Sequence, residues 1–342
     1  MFQTKITEMF GIQYPIIVGT MMHIARAEMV AAASNAGALG ILASAIFQNQ
    51  EEFREEIKKI RGLTDKPFAV NLNLFPAMRP IDNREYLEVI FKEGIRIVET
   101  SGYRAPEELA KDLKEHGVTL VHKCVGVRYA LKAQSVGVDA VTVVGFENGG
   151  AVGALDITTL CLVPRVVDSV KIPVIGGGGV ADGRGFLAVL ALGAQGVIMG
   201  TPFLVAEECP IHPCLKRALI EATELDTMIL MRSIQNSYRA WVNEASKKVA
   251  ELEKAQAGLE EIVQAGAAEK TKRMIQEGDL NAGVISCGQG IGLVKKNHAH
   301  ERHHRRDRPS GGRAAPKTRG HLTMLSSWRQ GLALIKRKPA SY

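Results

Sequence analysis

Polar residues interrupt or close several apolar runs of this sequence, at positions where packing alone would favour aliphatic side chains. Asn71 and Asn73 lie within FAVNLNL, His122 and Lys123 end TLVHK, and Glu147 follows AVTVVGF in a loop made largely of glycine. Two later runs end in bare loops, PVIGGGGVADGRG with Gly178 and Gly179, and GVIMGTPF with Gly200 and Thr201. Backbone N–H groups in such loops can approach an anion with no side chain in the way, and a following helix N-terminus adds partial positive charge. Singly, each feature has an ordinary explanation: Lys123 snorkels, Asn71 satisfies a backbone group, Glu147 is a solvated acid, and the glycines make tight turns. Together they suit one ligand with a phosphate at one end and a hydrogen-bonding ring at the other. FMN has that form, and an ammonium near N1 and O2 would stabilise the charge of its reduced ring.

The elements that must position these residues repeat along the chain. Eight strand-like runs, YPIIVG, LGILAS, FAVNLNL, IRIVETSG, TLVHKCV, AVTVVG, PVIGGG and GVIMGT, alternate with segments of helical character such as EEFREEIKKIRGLT and PEELAKDLKEHG. Near-continuous apolar strands between helices predict a parallel sheet, and eight units are the number that closes an α/β TIM (β/α)8 barrel. A doubly wound open sheet is the competing arrangement. Catalytic groups of such a barrel stand at the C-terminal strand ends, where the polar residues and bare loops fall. The glycines from Gly176 to Ala181 also meet a loose GxGxxA dinucleotide pattern, but no acid ends the next strand where a ribose partner should stand. The barrel is expected over 1–204, a smaller helical cap or substrate domain over 205–280, a return segment over 281–296 and a basic, disordered tail over 297–342.

Composition narrows the function classes. Of 342 residues, 46% are hydrophobic and 23% charged, which describes a globular protein with a substantial core. No apolar run reaches the roughly 18 residues of a membrane span, and the N-terminus lacks the succession of a signal peptide, so a cytoplasmic protein is expected. The five cysteines form no CxxC pair, so buried free thiols are expected and no metal site is indicated. The net charge of +7 comes from the tail, which holds 11 Lys and Arg against 2 acids from Asn297 onward. The body is nearly neutral, which disfavours nucleic acid as a partner; only the tail speaks for a polyanion.

The ordered set PIIVGTMM, AAASNAGALGIL, FAVNLNL, VHKC, VDAVTVVGFENGG, PVIGGGGVADGRGFLAVLALGAQGVIMGTPF and ISCGQGIGLV resembles the nitronate monooxygenase (2-nitropropane dioxygenase-like) family over about Phe2 to Lys296. That family comprises FMN-dependent TIM barrels with a small helical substrate domain, related to NADH:quinone reductases and FMN-containing enoyl-acyl carrier protein reductases. The resemblance implies flavin contacts from Gly19, Thr20, Met21, Asn71 and Lys123, and phosphate contacts from Gly178, Gly179, Gly200 and Thr201. It also implies that Glu147 and Gly150 keep their places in the cofactor loop and that Gln289 of the CGQG turn lies near the cofactor. One residue departs from the pattern. Where the family's loop carries a histidine facing the flavin, this chain has Ala151, which can neither take a proton nor donate a hydrogen bond.

Three explanations follow for Ala151. His23, directly after TMM, is the candidate substitute base; or the reaction is hydride transfer, which needs geometry more than a base; or the barrel binds FMN without catalysis. The expected activity is oxidation of a nitronate or similar electron-rich small molecule by O2. The alternative is NAD(P)H-dependent reduction of a quinone or enoyl thioester. A homodimer is left open.

Overall fold

The computed structural model describes residues 3–75 and 82–294. Eight parallel strands close into a barrel, the expected one: β1 (Ile16–Val18), β2 (Leu39–Ala43), β3 (Phe68–Asn73), β4 (Ile97–Ser101), β5 (Thr119–Cys124), β6 (Ala140–Val144) and, after a two-residue rim strand β7 (Gly150–Ala151), β8 (Val174–Gly177) and β9 (Gly196–Met199). β9 pairs back onto β1 through Ile16↔Val197, Ile17↔Ile198 and Val18↔Met199, so the sheet has no open edge. An open doubly wound sheet is thereby ruled out.

Helix α1 (Lys5–Phe10) precedes the barrel, capped by Thr4, and packs Ile6 and Phe10 against its interior, closing the lower end. Each barrel strand is followed by one helix of the outer ring: α2 (Ala27–Asn35), α3 (Gln50–Leu63), α4 (Asn83–Lys92), α5 (Glu107–Glu115), α6 (Val127–Ser135), α7 (Thr159–Val167), α8 (Gly183–Ala191) and α9 (Pro213–Glu221). In α3, Asn49 caps the N-terminus by accepting from the Glu52 N–H, Glu51 and Glu52 meet the helix dipole, and Phe53, Ile57 and Ile60 turn inward. Burial of those three side chains stabilises the ring by about 1.5–3 kcal/mol each.

Alternation along the strands decides which residues see the barrel axis. Ile17, Ile41, Ala69, Ile97, Val121, Ala140, Ile175 and Ile198 fill the interior with aliphatic side chains. Two residues further along the same strand faces come Asn71, Glu99, Lys123 and Thr142, so the upper interior layer is polar. His122 has the opposite parity. It faces the helices, is 1% exposed, and shares a hydrogen bond of 2.9 Å between Nδ1 and Thr100 Oγ1. Its placement at the rim beside Lys123 is therefore corrected: a period of two sends consecutive residues to opposite faces.

Beyond the barrel lie α10 (Glu244–Lys254), α11 (Leu259–Ala265) and α12 (Ala268–Glu277). Between α9 and α10, however, the chain forms β10 (Thr227–Leu230) and β11 (Tyr238–Trp241), which pair antiparallel with each other and with β7. Part of the 205–280 segment, expected to be helical throughout, thus divides into helix and strand, with LKRALIE in α9 and TMIL in β10. The helix ends at Glu221, and TMIL pairs antiparallel with YRAW, with Leu230 fully buried. Leu215 and Leu219 of α9 are fully buried in the same core as the ring helices. No helix among the described residues is long and apolar enough to cross a membrane. All five cysteines are free; Cys124, Cys209 and Cys287 are buried, whereas Cys161 is exposed. The basic tail from Asn297 lies outside the described residues.

Candidate functional site

A cavity of about 440 Å³ opens at the C-terminal end of the barrel, between the strand ends and the β10–β11 and α12 layer. Gly19, Thr20, Met21, His23, Asn71, Lys123, Gly150, Ala151, Gly200 and Thr201 all line it. A smaller recess of about 20 Å³ is lined by Gly178, Gly179, Val180, Gly200 and Thr201, and shares Asn148, Gly149, Gly200 and Thr201 with the main cavity. Two of the anticipated residues, Glu147 and Gln289, line neither.

Glu147 is occupied elsewhere. Its Oε2 accepts from the N–H of Thr159 at 2.9 Å and from Thr159 Oγ1 at 3.0 Å, which pins the rim loop to the N-terminus of α7. Its carbonyl accepts from the Gln289 N–H at 3.0 Å, tying the return segment to the same loop. The bareness of this loop has two distinct causes. A Cβ on Gly145 would stand 2.2 Å from the Thr159 nitrogen, and one on Gly149 would stand 2.7 Å from the Gly288 nitrogen, so close chain crossings require these glycines. Gly150, which lines the cavity beside Gly149, has φ of +81°, so its backbone conformation rather than a chain crossing favours glycine there.

In the recess, Gly178 and Gly179 have φ of +104° and +71°, which favours glycine at both positions. The N–H groups of Gly179 and Val180 enter none of the loop hydrogen bonds among the described residues. On the opposite side Thr201 Oγ1 accepts from the Gly288 N–H at 2.9 Å, fixing this wall against the return segment. The result is a small polar recess with bare backbone at the edge of a larger cavity, with free backbone donors of the kind that bind a phosphate.

The floor of the main cavity is the polar layer of the barrel. Asn71 Nδ2 donates to Glu99 Oε2 at 2.9 Å and to Ser101 Oγ at 2.7 Å. Both amide hydrogens are thereby engaged, leaving the Asn71 carbonyl oxygen as the group available to a ligand. Thr20 Oγ1 donates to the same Glu99 oxygen at 3.3 Å. Lys123 forms no ion pair or side-chain hydrogen bond among the described residues, and in register beside it Thr142 Oγ1 is buried without a partner. An uncommitted ammonium on a cavity floor is an anion-stabilising feature. Sequence reading missed Glu99 and Ser101, although an acid inside the apolar run IRIVETSG was the available signal.

His23 sits on the first rim loop in the left-handed region, with φ of +61°, and its Nε2 is buried without a partner. Burial, with help from Lys272 and Arg26 and against Glu269, lowers its pKa, so the ring is neutral near pH 7 and able to accept a proton. The end of its loop is locked by Glu56, 2% exposed, which accepts from Arg26 Nη2 and from the Ala27 N–H, both at 2.9 Å. Across the cavity, buried Arg239 of β11 donates to the Phe146 carbonyl at 3.2 and 3.1 Å and to Thr227 Oγ1 at 3.1 Å, with its guanidinium 4.6 Å from the Phe146 ring centre. It fixes the rim loop to the small sheet. Tyr103 Oη donates to Asn236 Oδ1 at 2.7 Å, bridging the β4 loop and the β10–β11 turn at the mouth.

An eight-stranded parallel barrel with this polar floor and glycine recess defines a TIM barrel whose candidate site lies at the C-terminal strand ends. The nitronate monooxygenase family matches residues 3–301, and the chain belongs to that family. A Rhodococcus jostii (3aS,4S,5R,7aS)-5-hydroxy-7a-methyl-1-oxo-octahydro-1H-indene-4-carboxyl-CoA dehydrogenase is 34% identical, over 85% of this chain and 91% of its own length. A probable nitronate monooxygenase of Staphylococcus haemolyticus is also 34% identical, over 67% of this chain and 75% of its own. Among solved structures, FabK from Thermotoga maritima superposes with a TM-score of 0.80 and 29% identity, covering 98% of this chain and 99% of that one.

Proposed function

We propose that the protein is an FMN-dependent oxidoreductase acting on a substrate carried as a thioester, by hydride transfer. The observation that carries this reading is Ala151: a methyl group occupies the rim position where the family resemblance places a proton-handling histidine. Hydride transfer depends on distance and alignment more than on a base at that position. The Rhodococcus relative, a carboxyl-CoA dehydrogenase matched over most of its length, supports a thioester substrate. The apolar residues Phe75, Tyr129, Met231 and Val284 around the cavity support a bulky one.

The residues present fit FMN. The recess of Gly178, Gly179, Gly200 and Thr201 would hold the phosphate, with Gly19, Thr20 and Met21 along one edge of the ring system. The Asn71 carbonyl is an acceptor for a ring N–H, and the unpaired Lys123 ammonium is the natural partner of the ring's anionic end. Gly150 leaves room at the rim, while Glu147 and Gln289 hold the surrounding loops. When bound, FMN would supply a two-electron carrier, for which NADH or NADPH is the proposed external reductant.

A second reading, oxidation of a nitronate by O2, is favoured by the family match and by the Staphylococcus relative. A nitronate is already an anion and needs no base, so Ala151 is compatible with it. Anaerobic mixing separates the two: a reduced enzyme reoxidised by an enoyl-CoA supports the first, and an oxidised enzyme bleached by a nitronate supports the second. His23 is the proposed base where a proton must be removed. His23→Ala should then lower kcat at least tenfold and flatten the acid limb of the pH profile; unchanged turnover and profile would eliminate it.

A further inference from the structure

Ala151 does not leave its wall of the cavity without a hydrogen-bonding group. Tyr238 of β11 is the direct cross-strand partner of Ala151 on β7, and side chains of paired residues project to the same face. The methyl group of Ala151 therefore lies beside the Tyr238 ring. Tyr238 and Ser286 both line the cavity, and their hydroxyl groups hydrogen-bond to each other. The pair lies close to Gly150: a Cβ there would stand 3.4 Å from Ser286 Oγ and 3.9 Å from the Tyr238 ring. Burial raises the Tyr238 pKa and outweighs the hydrogen bond from Ser286, so the phenol remains protonated and a donor.

We infer that the Tyr238–Ser286 hydroxyl pair recognises the substrate's sp² oxygen, with the Tyr238 O–H donating to it and the Ser286 hydroxyl donating to the phenol oxygen and holding it in place. This inference rests on the proposed redox reading of the cavity and names the group that orients the substrate within it. A thioester carbonyl and a nitro group present the same chemistry, an oxygen acceptor on a planar centre. Two hydroxyls in mutual contact carry two protons for one shared bond, so one proton remains to be donated outward. A buried hydroxyl that can place this second bond on a ligand gains discrimination against a ligand lacking the acceptor.

The test is a binding comparison by titration calorimetry on the full FMN-loaded chain. One arm sets butanoyl-CoA against its thioether S-butyl-CoA, and the other sets nitrocyclohexane against methylcyclohexane. The oxygen-bearing member of at least one pair should bind about tenfold more tightly. The arm that shows the preference identifies which source of the oxygen the site takes. Tyr238→Phe should abolish the preference while leaving the affinity for the deoxygenated ligand and for FMN unchanged, and Ser286→Ala should reduce it. Equal binding within both pairs, or a preference that survives in Tyr238→Phe, would overturn the inference. If Tyr238→Phe does not fold, an undiminished preference in Ser286→Ala would overturn it. Failure of the chain to take up FMN would instead defeat the redox reading, and the same titrations on the FMN-free chain would still report on the hydroxyl pair.

Discussion

Lys123 and His122, adjacent in sequence, show how one step along a strand separates roles. Lys123 points into the cavity with no partner among the described residues, and its charge is available to a ligand. Lys123→Met should therefore weaken FMN binding roughly tenfold or more, as expected for loss of a charge-assisted hydrogen bond; an unchanged Kd in a fluorescence titration would remove Lys123 from the cofactor site. His122, facing the helix layer, is held neutral because burial lowers its pKa to about 4. The unfolded chain, with an ordinary histidine pKa, binds more protons than the folded one between about pH 6.5 and 4. The resulting stabilisation is complete above that window and declines as pH falls through it, by roughly 3 kcal/mol in all. Urea denaturation of wild type and His122→Asn at pH 7.5 and 4.5 should show a smaller acid loss in the variant. Equal losses would contradict the assignment.

At the scale of elements, the rim loop between β6 and α7 depends on contacts from three directions. Glu147 holds Thr159 at the start of α7, Arg239 of β11 holds the Phe146 carbonyl, and the return segment donates to Glu147 from Gln289. Gly145 allows α7 to approach; a methyl there would overlap the Thr159 backbone. Gly145→Ala should cost about 1–3 kcal/mol by overpacking and displace the loop that carries Ala151. A melting temperature and FMN affinity equal to wild type would show that the crossing is less tight than described.

These elements also show what could be read from sequence. The eight strands were legible because apolar β-branched runs between amphipathic helices leave few alternatives, and all eight runs are barrel strands. Lys123, Asn71 and the glycine recess were legible as exceptions to those runs. The β7–β10–β11 sheet was not, because a four-residue strand beside a helix carries too little period to separate TMIL from the end of α9. Tyr238 was hidden for the same reason: its importance comes from pairing with Ala151, 87 residues away in sequence, and no local pattern encodes that register. Glu99 was visible as an acid in an apolar run, but its work on Asn71 and Thr20 required the barrel to be closed.

For the whole molecule, the barrel supplies the floor and phosphate recess while the small sheet and helices supply the opposite wall. The two halves meet around one cavity in which bare backbone, an unpaired ammonium and a hydroxyl pair converge. That convergence is the basis of the redox reading. The most direct test is to load the purified chain with FMN, measure the bound stoichiometry, and add NADH or NADPH without oxygen while following the visible flavin band. About one FMN per chain and bleaching by at least one nicotinamide, with the colour restored by an enoyl-CoA, is the predicted result. A chain that takes up no FMN, or whose bound FMN is bleached by neither nicotinamide nor a nitronate, would contradict the account.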